Sequence, residues 1–341
     1  MSKYRNSAEY TPNSLQIELV QGCNRQCNFC GVQGMEHKIH FTTKEILTRQ
    51  LELISKAPYQ PRIQLIGHGE PTLHPKFFSC VKMIRKALPK HYIQVYTNGY
   101  LIRKDLANVC KMFESGINDI TLDEYKDSKF DDESITQLLQ DFEQNTGIHV
   151  NFVRMGKGIP LYGPKTHTKY RLLIVPAIDE SKIAISRSLN NHCGAGLPPN
   201  KKLKDRPCTR IFRELIFRWD GWADLCCADY RGHYPVVNVM DESVSCLDDI
   251  WRHPRLESAR RVLYHDHRVF FPCNMCDLLP IREGLLPDYK GQQRLEEPTE
   301  EDYQIVTEKH ETLSVMSPRP WELKKGKYVN GEAVQKEDDH E

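Results

Sequence analysis

The sequence lacks the long apolar stretches that mark export or membrane insertion. Its first residues, MSKYRNSAEY, contain no apolar core of a signal peptide, and no apolar run elsewhere approaches the length of a membrane span. An excess of one charge is also missing, because 47 Lys and Arg face 46 Asp and Glu, so no global basic field points to nucleic acid. We therefore expect a cytoplasmic protein without membrane contact.

Internal repeats are lacking too, and structural disulfides are not expected despite the 12 cysteines. The cytoplasm keeps thiols reduced, so metal or cluster ligation is the better explanation for a patterned subset of cysteines. A chain of 341 residues is long enough to bury the core of one large domain and a small one.

A cysteine triplet near the N-terminus is the most specific pattern in the chain. Cys23, Cys27 and Cys30 lie in GCNRQCNFCG with the spacing C-x3-C-x2-C. Three thiolates leave one iron of a 4Fe–4S cluster open, and an open iron can bind a small molecule. The alternatives are a zinc site, which His37 or His40 would complete, and three unrelated buried thiols.

Short apolar, β-branched segments alternate with amphipathic ones through the first half of the chain. This alternation predicts an α/β fold with a parallel sheet or barrel. Strands are predicted at 14–20, 62–70, 92–99, 118–123, 148–155 and 171–178. Helices are predicted at 42–56, 75–87, 104–116 and 132–144, with Thr42 or Thr43 as the N-cap of the first.

The predicted domain boundaries follow changes in composition. Residues 12–180 are expected to form the barrel, and residues 181–206, rich in Asn, Gly and Pro, a linker. A small C-terminal Cys-rich extension is expected at residues 207–280. Residues 281–341 are charged and low in apolar residues, and the final VQKEDDHE is expected to be disordered.

Three motifs follow predicted strands directly. They are the cysteine loop, GHGEP at 67–71 and TNG at 97–99. In parallel barrels the chemistry lies at the C-terminal ends of the strands. The positions of the three motifs therefore predict that they share one site.

The cysteine loop resembles that of the radical S-adenosylmethionine (radical SAM) superfamily. It has C-x3-C-x2-C after the first strand of a βα barrel, and the aromatic Phe29 precedes the third cysteine. The resemblance implies that the fold is a partial (β/α)6 barrel, and that Cys23, Cys27 and Cys30 hold a 4Fe–4S cluster whose open iron chelates SAM. It also implies that an electron, from a reducing partner such as flavodoxin or ferredoxin, cleaves SAM to methionine and a 5′-deoxyadenosyl radical that abstracts a substrate hydrogen.

GHGEP is similar to the family's GGEP motif, which offers backbone groups to the SAM amino group. Gly69, Glu70 and Pro71 match this motif, and His68 replaces its first glycine. The resemblance thus implies that these three matching residues contact SAM. Taken alone, G-x-G-E-P is also typical of a turn with a helix-starting proline.

TNG commonly follows the third strand in this family, so the resemblance implies that Thr97 and Asn98 lie near the SAM ribose. Thr121 and Arg154, at the ends of later predicted strands, are further candidate SAM contacts, with Arg154 on the carboxylate. The alternatives are a strand-ending Asn-Gly turn, which tolerates positive φ, and a surface salt bridge for Arg154.

A second cysteine set has the pattern C…G-x4-C…C-x2-C, formed by Cys208, Gly221, Cys226, Cys273 and Cys276. It resembles the auxiliary-cluster extension of radical SAM enzymes called SPASM, or its shortened form, twitch. Because no cysteine follows Cys276, the resemblance implies a single auxiliary 4Fe–4S cluster held by the four cysteines. Structural zinc is the alternative, since cysteine pairs at long separation also bind zinc.

Other cysteines leave alternatives open. Cys227 is an alternative to its neighbour Cys226 as a ligand. Cys193, in NNHCGAG before the extension, is either a linker residue or a hydrogen-atom donor that quenches a substrate radical, as epimerases of this family require. Cys80 and Cys110 are expected to be buried apolar thiols on helices.

Three functions remain open from the sequence. The first is a radical SAM enzyme that oxidises or otherwise modifies its substrate, with the auxiliary cluster as electron acceptor. The alternatives are a redox-neutral epimerase or isomerase and a non-catalytic zinc or iron–sulfur protein. The substrate is a small molecule, a nucleoside or a peptide, and the first two are favoured because no recognisable leader-peptide-binding domain precedes the barrel. Candidate pocket residues are His68, Tyr125, His192 and Asp229.

Overall fold

The computed structural model describes residues 11–35, 38–155, 169–178, 191–196, 208–278, 295–308, 328–329 and 332–333. Of the predicted linker at 181–206, only residues 191–196 belong to this set. The predicted disorder of VQKEDDHE also lies outside the described residues.

The described strands are, in chain order, β1 (Ser14–Ile17), β2 (Val20–Gln21), β3 (His40–Phe41), β4 (Arg62–Leu65), β5 (Ile93–Thr97), β6 (Asp119–Tyr125), β7 (Asn151–Arg154), β8 (Arg171–Ile178), β9 (Glu214–Phe217), β10 (Trp222–Asp224), β11 (Pro235–Asn238), β12 (Tyr328–Val329) and β13 (Glu332–Ala333). The described α-helices are α1 (Lys44–Ser55), α2 (Phe77–Ala87), α3 (Tyr100–Lys104), α4 (Asn108–Ser115), α5 (Asp132–Thr146), α6 (Leu247–Trp251), α7 (Pro254–His265) and α8 (Glu300–Thr307).

Most strands belong to one sheet with the order β11-β10-β9-β1-β4-β5-β6-β8-β7. The part from β1 to β7 is parallel throughout, and each of its strands lies where the sequence predicts one. The order follows the chain as far as β6, and β8 then lies between β6 and β7. The C-terminal ends of the parallel strands therefore meet along one edge of the sheet.

The Cys-rich extension continues the same sheet. β9 pairs in parallel with β1, with Ser14 opposite Glu214, and β10 and β11 add an antiparallel hairpin. One hydrophobic core spans both parts, since Leu15 belongs to the same buried cluster as Phe217 and Trp251. β1 is therefore an inner strand, and it joins the barrel to the extension.

Local sequence sets the ends of the helices. The Thr43 side chain, one of the two predicted N-caps, accepts a hydrogen bond from Ile46 N at the start of α1. Gly116 ends α4 in the left-handed region with φ +113°, as its place after the helix predicts. α2 begins at Phe77, two residues after the predicted start at 75. Among the described residues, no helix is both long and apolar enough to cross a membrane.

Candidate functional site

The cysteine triplet lies in the loop that follows β2. Cys27 is buried, and Cys23 and Cys30 are partly exposed. Arg25 N donates a hydrogen bond to Cys23 Sγ at 3.4 Å. Burial raises the pKa of Cys30 to about 12, and the charges of Cys27 and Cys23 add to this rise. Three soft donors on one loop fit an iron–sulfur cluster with one open iron.

The GHGEP turn packs directly onto the cysteine loop. Gly22 N donates to His68 O at 3.0 Å, and Glu70 N donates to Gly22 O at 3.0 Å. A Cβ atom on Gly69 would lie 2.3 Å from Gly22 O, so only glycine allows this approach. The cysteine loop and the GHGEP turn are therefore adjacent in the structure, as predicted.

The carboxylate of Glu70 joins the GHGEP turn to the TNG turn. It is 2% exposed and accepts hydrogen bonds from Thr72 N at 3.0 Å, Thr97 Oγ1 at 2.7 Å and Asn98 N at 2.6 Å. Burial raises its pKa. Pro71 starts the short 3-10 helix that presents Thr72. The contacts of Glu70 thus hold the ends of β4 and β5 together.

Asn98 connects the TNG turn to the first cysteine. Its Nδ2 donates to Cys23 Sγ at 3.4 Å and to Asn24 Oδ1 at 3.0 Å. An amide hydrogen bond to a ligating sulfur stabilises the thiolate and influences the potential of an attached cluster. Asn98 is therefore in place to support the cluster site itself.

The end of β6 closes the site on another side. Cys27 Sγ lies 3.7 Å from Tyr125 Oη, and Phe29 packs with both residues. The Arg25 guanidinium lies 3.7 Å from the centroid of the Tyr125 ring and forms a 3.3 Å ion pair with Asp127. Tyr125, a candidate pocket residue, therefore lies beside the buried cysteine.

Asp123 is a site residue that sequence reasoning missed. Burial, together with the charge of Glu70, raises the pKa of Asp123 to about 7. The available signal is the alternation in DITLDEY, which places Asp119, Thr121 and Asp123 on one face of β6. Thr121 Oγ1 accepts from Gln94 Nε2 at 3.1 Å, so its hydroxyl has a partner within the sheet.

Arg154 forms a salt-bridge network at the end of β7. Its Nε lies 2.8 Å from Asp132 Oδ1, and its second nitrogen donates to Glu124 Oε2 at 2.7 Å. The third nitrogen donates to Phe130 O at 3.0 Å. These contacts match the salt bridge that the sequence left open as the alternative to a SAM contact.

The second cysteine set surrounds one cavity in the extension. The cysteines that line it are Cys193, Cys208, Cys226, Cys273 and Cys276, and Asp229 and Arg268 lie in the same wall. Cys227 does not line this cavity, and its Sγ accepts a hydrogen bond from the Arg210 guanidinium at 3.4 Å. The structure therefore favours Cys226 over Cys227 as a ligand.

A recurrent backbone contact marks three of the candidate ligands. Ala228 N donates to Cys226 Sγ at 3.4 Å, and Leu278 N donates to Cys276 Sγ at 3.3 Å. Each amide lies two residues after its cysteine, as Arg25 does after Cys23. Such amide contacts and the soft donor set fit iron–sulfur clusters at both sites.

Within the part of the chain that the structure describes, no group of three or more His, Cys, Asp or Glu side chains has the arrangement that holds a metal ion. A cluster of four irons separates its ligating sulfurs more widely than a single ion does.

Cys193 lies at the auxiliary cavity and not at the first cysteine loop. Its side chain is 7% exposed and packs with Ala228 and Cys276. The backbone at Cys193 has φ +52°, a value that residues other than glycine adopt rarely. Cys193 therefore has other cysteines as neighbours in the auxiliary cavity.

Tyr230 occupies the space between the two cysteine sites and was missed from the sequence. Its ring centroid lies 4.4 Å from that of His192 and 4.6 Å from that of His68. Burial raises the pKa of Tyr230, and the adjacent Cys30 adds to this. Burial lowers the pKa of His192 to about 4, so its neutral Nδ1 accepts from Gly31 N at 3.2 Å. Tyr230 lies three residues after the paired Cys226 and Cys227, and no sequence pattern marks it.

His68 links the barrel to the extension. It is fully buried, its Nδ1 lies 3.0 Å from Glu18 Oε1, and its Nε2 lies 3.2 Å from Cys227 O. The Nδ1 contact has an ion-pair distance but not hydrogen-bond geometry. Burial alone would lower the pKa of His68, and the attraction of Glu18 outweighs this and raises it. The residue that departs from the GGEP pattern therefore has a structural partner in each part.

Two protein-family models match the chain. The radical SAM superfamily matches residues 17–127, and an iron–sulfur cluster-binding domain, SPASM, matches residues 208–277. The first match contains the cysteine loop and both turns, and the second contains Cys208, Cys226, Cys273 and Cys276. The predicted resemblances are confirmed.

Curated relatives match part of the chain. GTP 3′,8-cyclase of Haemophilus influenzae is 31% identical over 107 residues, which is 30% of this chain and 31% of the relative. A tungsten-containing aldehyde ferredoxin oxidoreductase cofactor-modifying protein of Pyrococcus furiosus is 28% identical over 92 residues, 27% of this chain and 25% of the relative. The chain thus spans about a third of the length of the first relative and a quarter of the second.

Solved structures confirm the fold. BtrN in complex with AdoMet and 2-DOIA is similar with a TM-score of 0.58 and 18% identity, over 79% of this chain and 94% of BtrN. BtrN in an open conformation is similar with a TM-score of 0.51 and 16% identity, over 83% of this chain and 99% of BtrN. The likeness covers most of both chains, and at these identities it concerns the fold.

Proposed function

Because the chain belongs to the radical SAM superfamily and carries a SPASM iron–sulfur domain, we propose that it is an enzyme that oxidises its substrate by a radical route. In this proposal a hydrogen atom leaves the substrate, and an electron from the resulting radical is accepted at the auxiliary site. The observation that carries the proposal is the second cavity, whose walls supply thiols for every iron of a 4Fe–4S cluster.

The cofactors follow from the two domains: SAM and a 4Fe–4S cluster for the first, and an auxiliary iron–sulfur cluster for the second. We assign Cys23, Cys27 and Cys30 as the ligands of the first cluster. When bound, this cluster and SAM supply a 5′-deoxyadenosyl radical, which removes a hydrogen atom from the substrate.

The residues of the chain prepare and enclose this first site. We propose that the backbone at Gly69 and Pro71 and the polar groups of Thr97 and Asn98 contact SAM. Glu70 then positions Thr97 and Asn98, because its carboxylate accepts hydrogen bonds from both residues. Exclusion of water protects a reactive radical from side reactions.

At the auxiliary site we assign four ligands, which are Cys208, Cys226, Cys273 and Cys276. When bound, a fully ligated auxiliary cluster can accept one electron. Arg268 lies in the cavity wall, is 4% exposed and donates to Cys276 O at 2.7 Å, so a fixed positive charge faces the site. A nearby cation favours the more negative, reduced state of a cluster.

The position of Cys193 supports oxidation over a redox-neutral reaction. An epimerase needs a hydrogen donor that faces the substrate radical, whereas Cys193 is buried against Cys276 in the auxiliary cavity. The SPASM match supports iron–sulfur chemistry over structural zinc. Arg154 is assigned to its salt bridges with Glu124 and Asp132.

For the substrate we propose a small molecule or a nucleoside ahead of a peptide. Support comes from the curated relatives, whose names include GTP 3′,8-cyclase, although the alignments cover about a third of their length. We further propose a cytoplasmic location and a flavodoxin or ferredoxin as the reducing partner, because the first cluster has to be reduced before SAM is cleaved.

The test is anaerobic reconstitution followed by incubation with SAM and a reductant. We expect about eight iron atoms per chain and formation of 5′-deoxyadenosine. Cys27→Ala is expected to abolish 5′-deoxyadenosine formation, whereas Cys110→Ala, a buried thiol remote from both sites, should retain it. Absence of 5′-deoxyadenosine from the wild-type protein would refute an enzymatic function. Product formed in D2O with deuterium on carbon would refute oxidation in favour of a redox-neutral reaction.

A further inference from the structure

The auxiliary cavity contains one cysteine more than a 4Fe–4S cluster has irons. Cys193 lines it together with the four assigned ligands, which are Cys208, Cys226, Cys273 and Cys276. All five thiols lie outside disulfides. One of them must therefore have a role other than direct ligation.

The backbone amides identify Cys276 as a ligand and Cys193 as the additional thiol. The Cys276 sulfur accepts Leu278 N at 3.3 Å, which is the contact that the sulfurs of Cys23 and Cys226 also receive from the residue two positions later. The Cys193 side chain packs against Cys276 itself. Two sulfurs in contact compete for a single corner of a cluster, and the amide pattern assigns that corner to Cys276.

A specific anchor holds Cys193 next to this ligand. Asn191 N donates to Asp277 Oδ1 at 2.6 Å, and Asn191 Nδ2 donates to Met275 O at 2.7 Å. Asp277 N in turn donates to Asn191 Oδ1 at 3.0 Å. The side chain of Asn191 therefore binds the chain on both sides of Cys276. Cys193, two residues after Asn191, has the uncommon positive φ described above.

We propose that Cys193 is a positioning residue of the auxiliary site, whose S–H group donates a hydrogen bond to the Cys276 sulfur and raises the reduction potential of the auxiliary cluster. Donors to ligating sulfurs stabilise the reduced cluster, because it carries one more negative charge than the oxidised one. The inference rests on the proposed function only in requiring an auxiliary cluster at these cysteines.

The experiment compares the holoprotein with Cys193→Ala, Cys193→Ser and Cys110→Ala. Iron content is measured for each, and the auxiliary midpoint potential is determined by EPR-monitored redox titration, using the signal that added SAM leaves unchanged. Cys110 is the matched control, since it is also a buried thiol, 9% exposed, but lies on α4 away from both sites.

We expect Cys193→Ala to keep about eight irons per chain and to lower the auxiliary midpoint potential. Cys193→Ser keeps a hydrogen-bond donor and should restore the potential most of the way to the wild-type value. Cys110→Ala should leave it unchanged. Because serine is nearly isosteric, Cys193→Ser also reports on the site if the alanine variant does not fold.

Two results would overturn the proposal. Loss of about four irons in both Cys193 variants would show that Cys193 is a ligand. Equal potentials in wild type and a fully loaded Cys193→Ala would show that the thiol does not influence the cluster. Neither iron content nor the midpoint potential depends on SAM cleavage. Failure of the proposed enzymatic function would be seen as missing 5′-deoxyadenosine, and it is therefore distinguishable from a failure of this inference.

Discussion

A single carboxylate, that of Glu70, organises the ends of two barrel strands. It accepts hydrogen bonds from the backbone of Thr72 and Asn98 and from the hydroxyl of Thr97. Asn98 then reaches the Cys23 sulfur, so the contacts run without a gap from a buried anion to a candidate cluster ligand. At this scale the site is a scaffold of hydrogen bonds between protein groups.

Replacement of Glu70 by glutamine should weaken this scaffold. Glutamine presents an NH2 group to donors, so at least one buried donor loses its acceptor, and we expect a loss of about 2–4 kcal/mol in the free energy of unfolding. Urea unfolding of the apoprotein measures this loss. Glu114→Gln, at an exposed position on α4, should change stability by less than about 0.5 kcal/mol. Equal stabilities of the two variants would contradict the role assigned to Glu70.

Sequence patterns identified the ligand-type residues better than the residues between them. Cysteine spacing and the Gly-Glu-Pro and Thr-Asn-Gly turns have fixed chemistry and lie directly after strands, so they were predictable. Tyr230 and Asp123 were not, because their importance comes from neighbours far away in the chain, such as Tyr230 against His68. A tyrosine that follows a cysteine pair does not belong to a recognisable sequence motif.

At the scale of elements, the cysteine loop is fixed by the segment 191–196, which packs across it. Gly196 is the point of closest approach, because a Cβ atom there would lie 2.3 Å from Phe29 O and 3.1 Å from His192 Nδ1. Backbone oxygen cannot move aside without displacing Phe29 and the adjacent Cys30. The segment thus contacts the first site through Gly196 and the auxiliary site through Cys193.

Gly196→Ala should therefore displace the cysteine loop and reduce iron loading. The steric conflict is expected to cost about 1–3 kcal/mol. Gly147→Ala is a matched control, because its φ of +70° imposes a conformational cost of about 1–2 kcal/mol while nothing lies within 4 Å of the added Cβ. The iron content per chain after reconstitution distinguishes the two variants, because we expect a loss of iron only for Gly196→Ala. Full iron content in Gly196→Ala would argue against a tight contact.

The strands of the barrel were predictable, whereas their complete order was not. Runs such as RIQLIG and YIQVYT have the apolar, β-branched composition of buried strands, and β4 and β5 lie inside them. The insertion of β8 between β6 and β7 has no such signal. Composition and periodicity indicate that a strand exists, but the neighbour of a strand depends on how the connecting chain crosses the sheet.

At the scale of the whole molecule, a buried charged pair joins the barrel to the extension. Glu18 follows β1, His68 follows β4, and Cys227 of the extension provides a carbonyl to the imidazole at 3.2 Å. Glu18 also accepts from Trp219 N of the extension at 3.1 Å. Both members of the pair therefore contact both parts of the molecule.

His68→Ala should destabilise the molecule more than removal of an exposed histidine. It leaves the Glu18 carboxylate buried without its imidazole partner, and we expect a loss of about 3–5 kcal/mol in the free energy of unfolding. His149→Ala is the control, because the His149–Glu143 pair at 2.8 Å is exposed and should contribute less than about 1 kcal/mol.

Urea unfolding of the apoproteins measures both losses. The double variant Glu18→Gln/His68→Ala should lose less than the sum of the two single losses, since the pair is then removed together. Similar losses for His68→Ala and His149→Ala would show that the Glu18–His68 pair does not hold the barrel and the extension together.

The general organisation was predictable because both cysteine sets have spacing that few other sites share. The family and the extension followed from these spacings and are confirmed by the domain matches at 17–127 and 208–277. Continuity of the sheet across both parts was not predictable, since β9 pairs with a strand at the other end of the chain.

The pairing of β1 with β9 also constrains how the protein is made. Ser14 meets Glu214, so the first strand leaves the ribosome long before its second neighbour has been translated. At ~5–20 residues per second, the interval is roughly 10–40 seconds. During that time one edge of β1 is bare, and a bare strand edge is a template for pairing with another nascent chain. Until β9 is available, pairing of this edge with another chain therefore competes with correct folding.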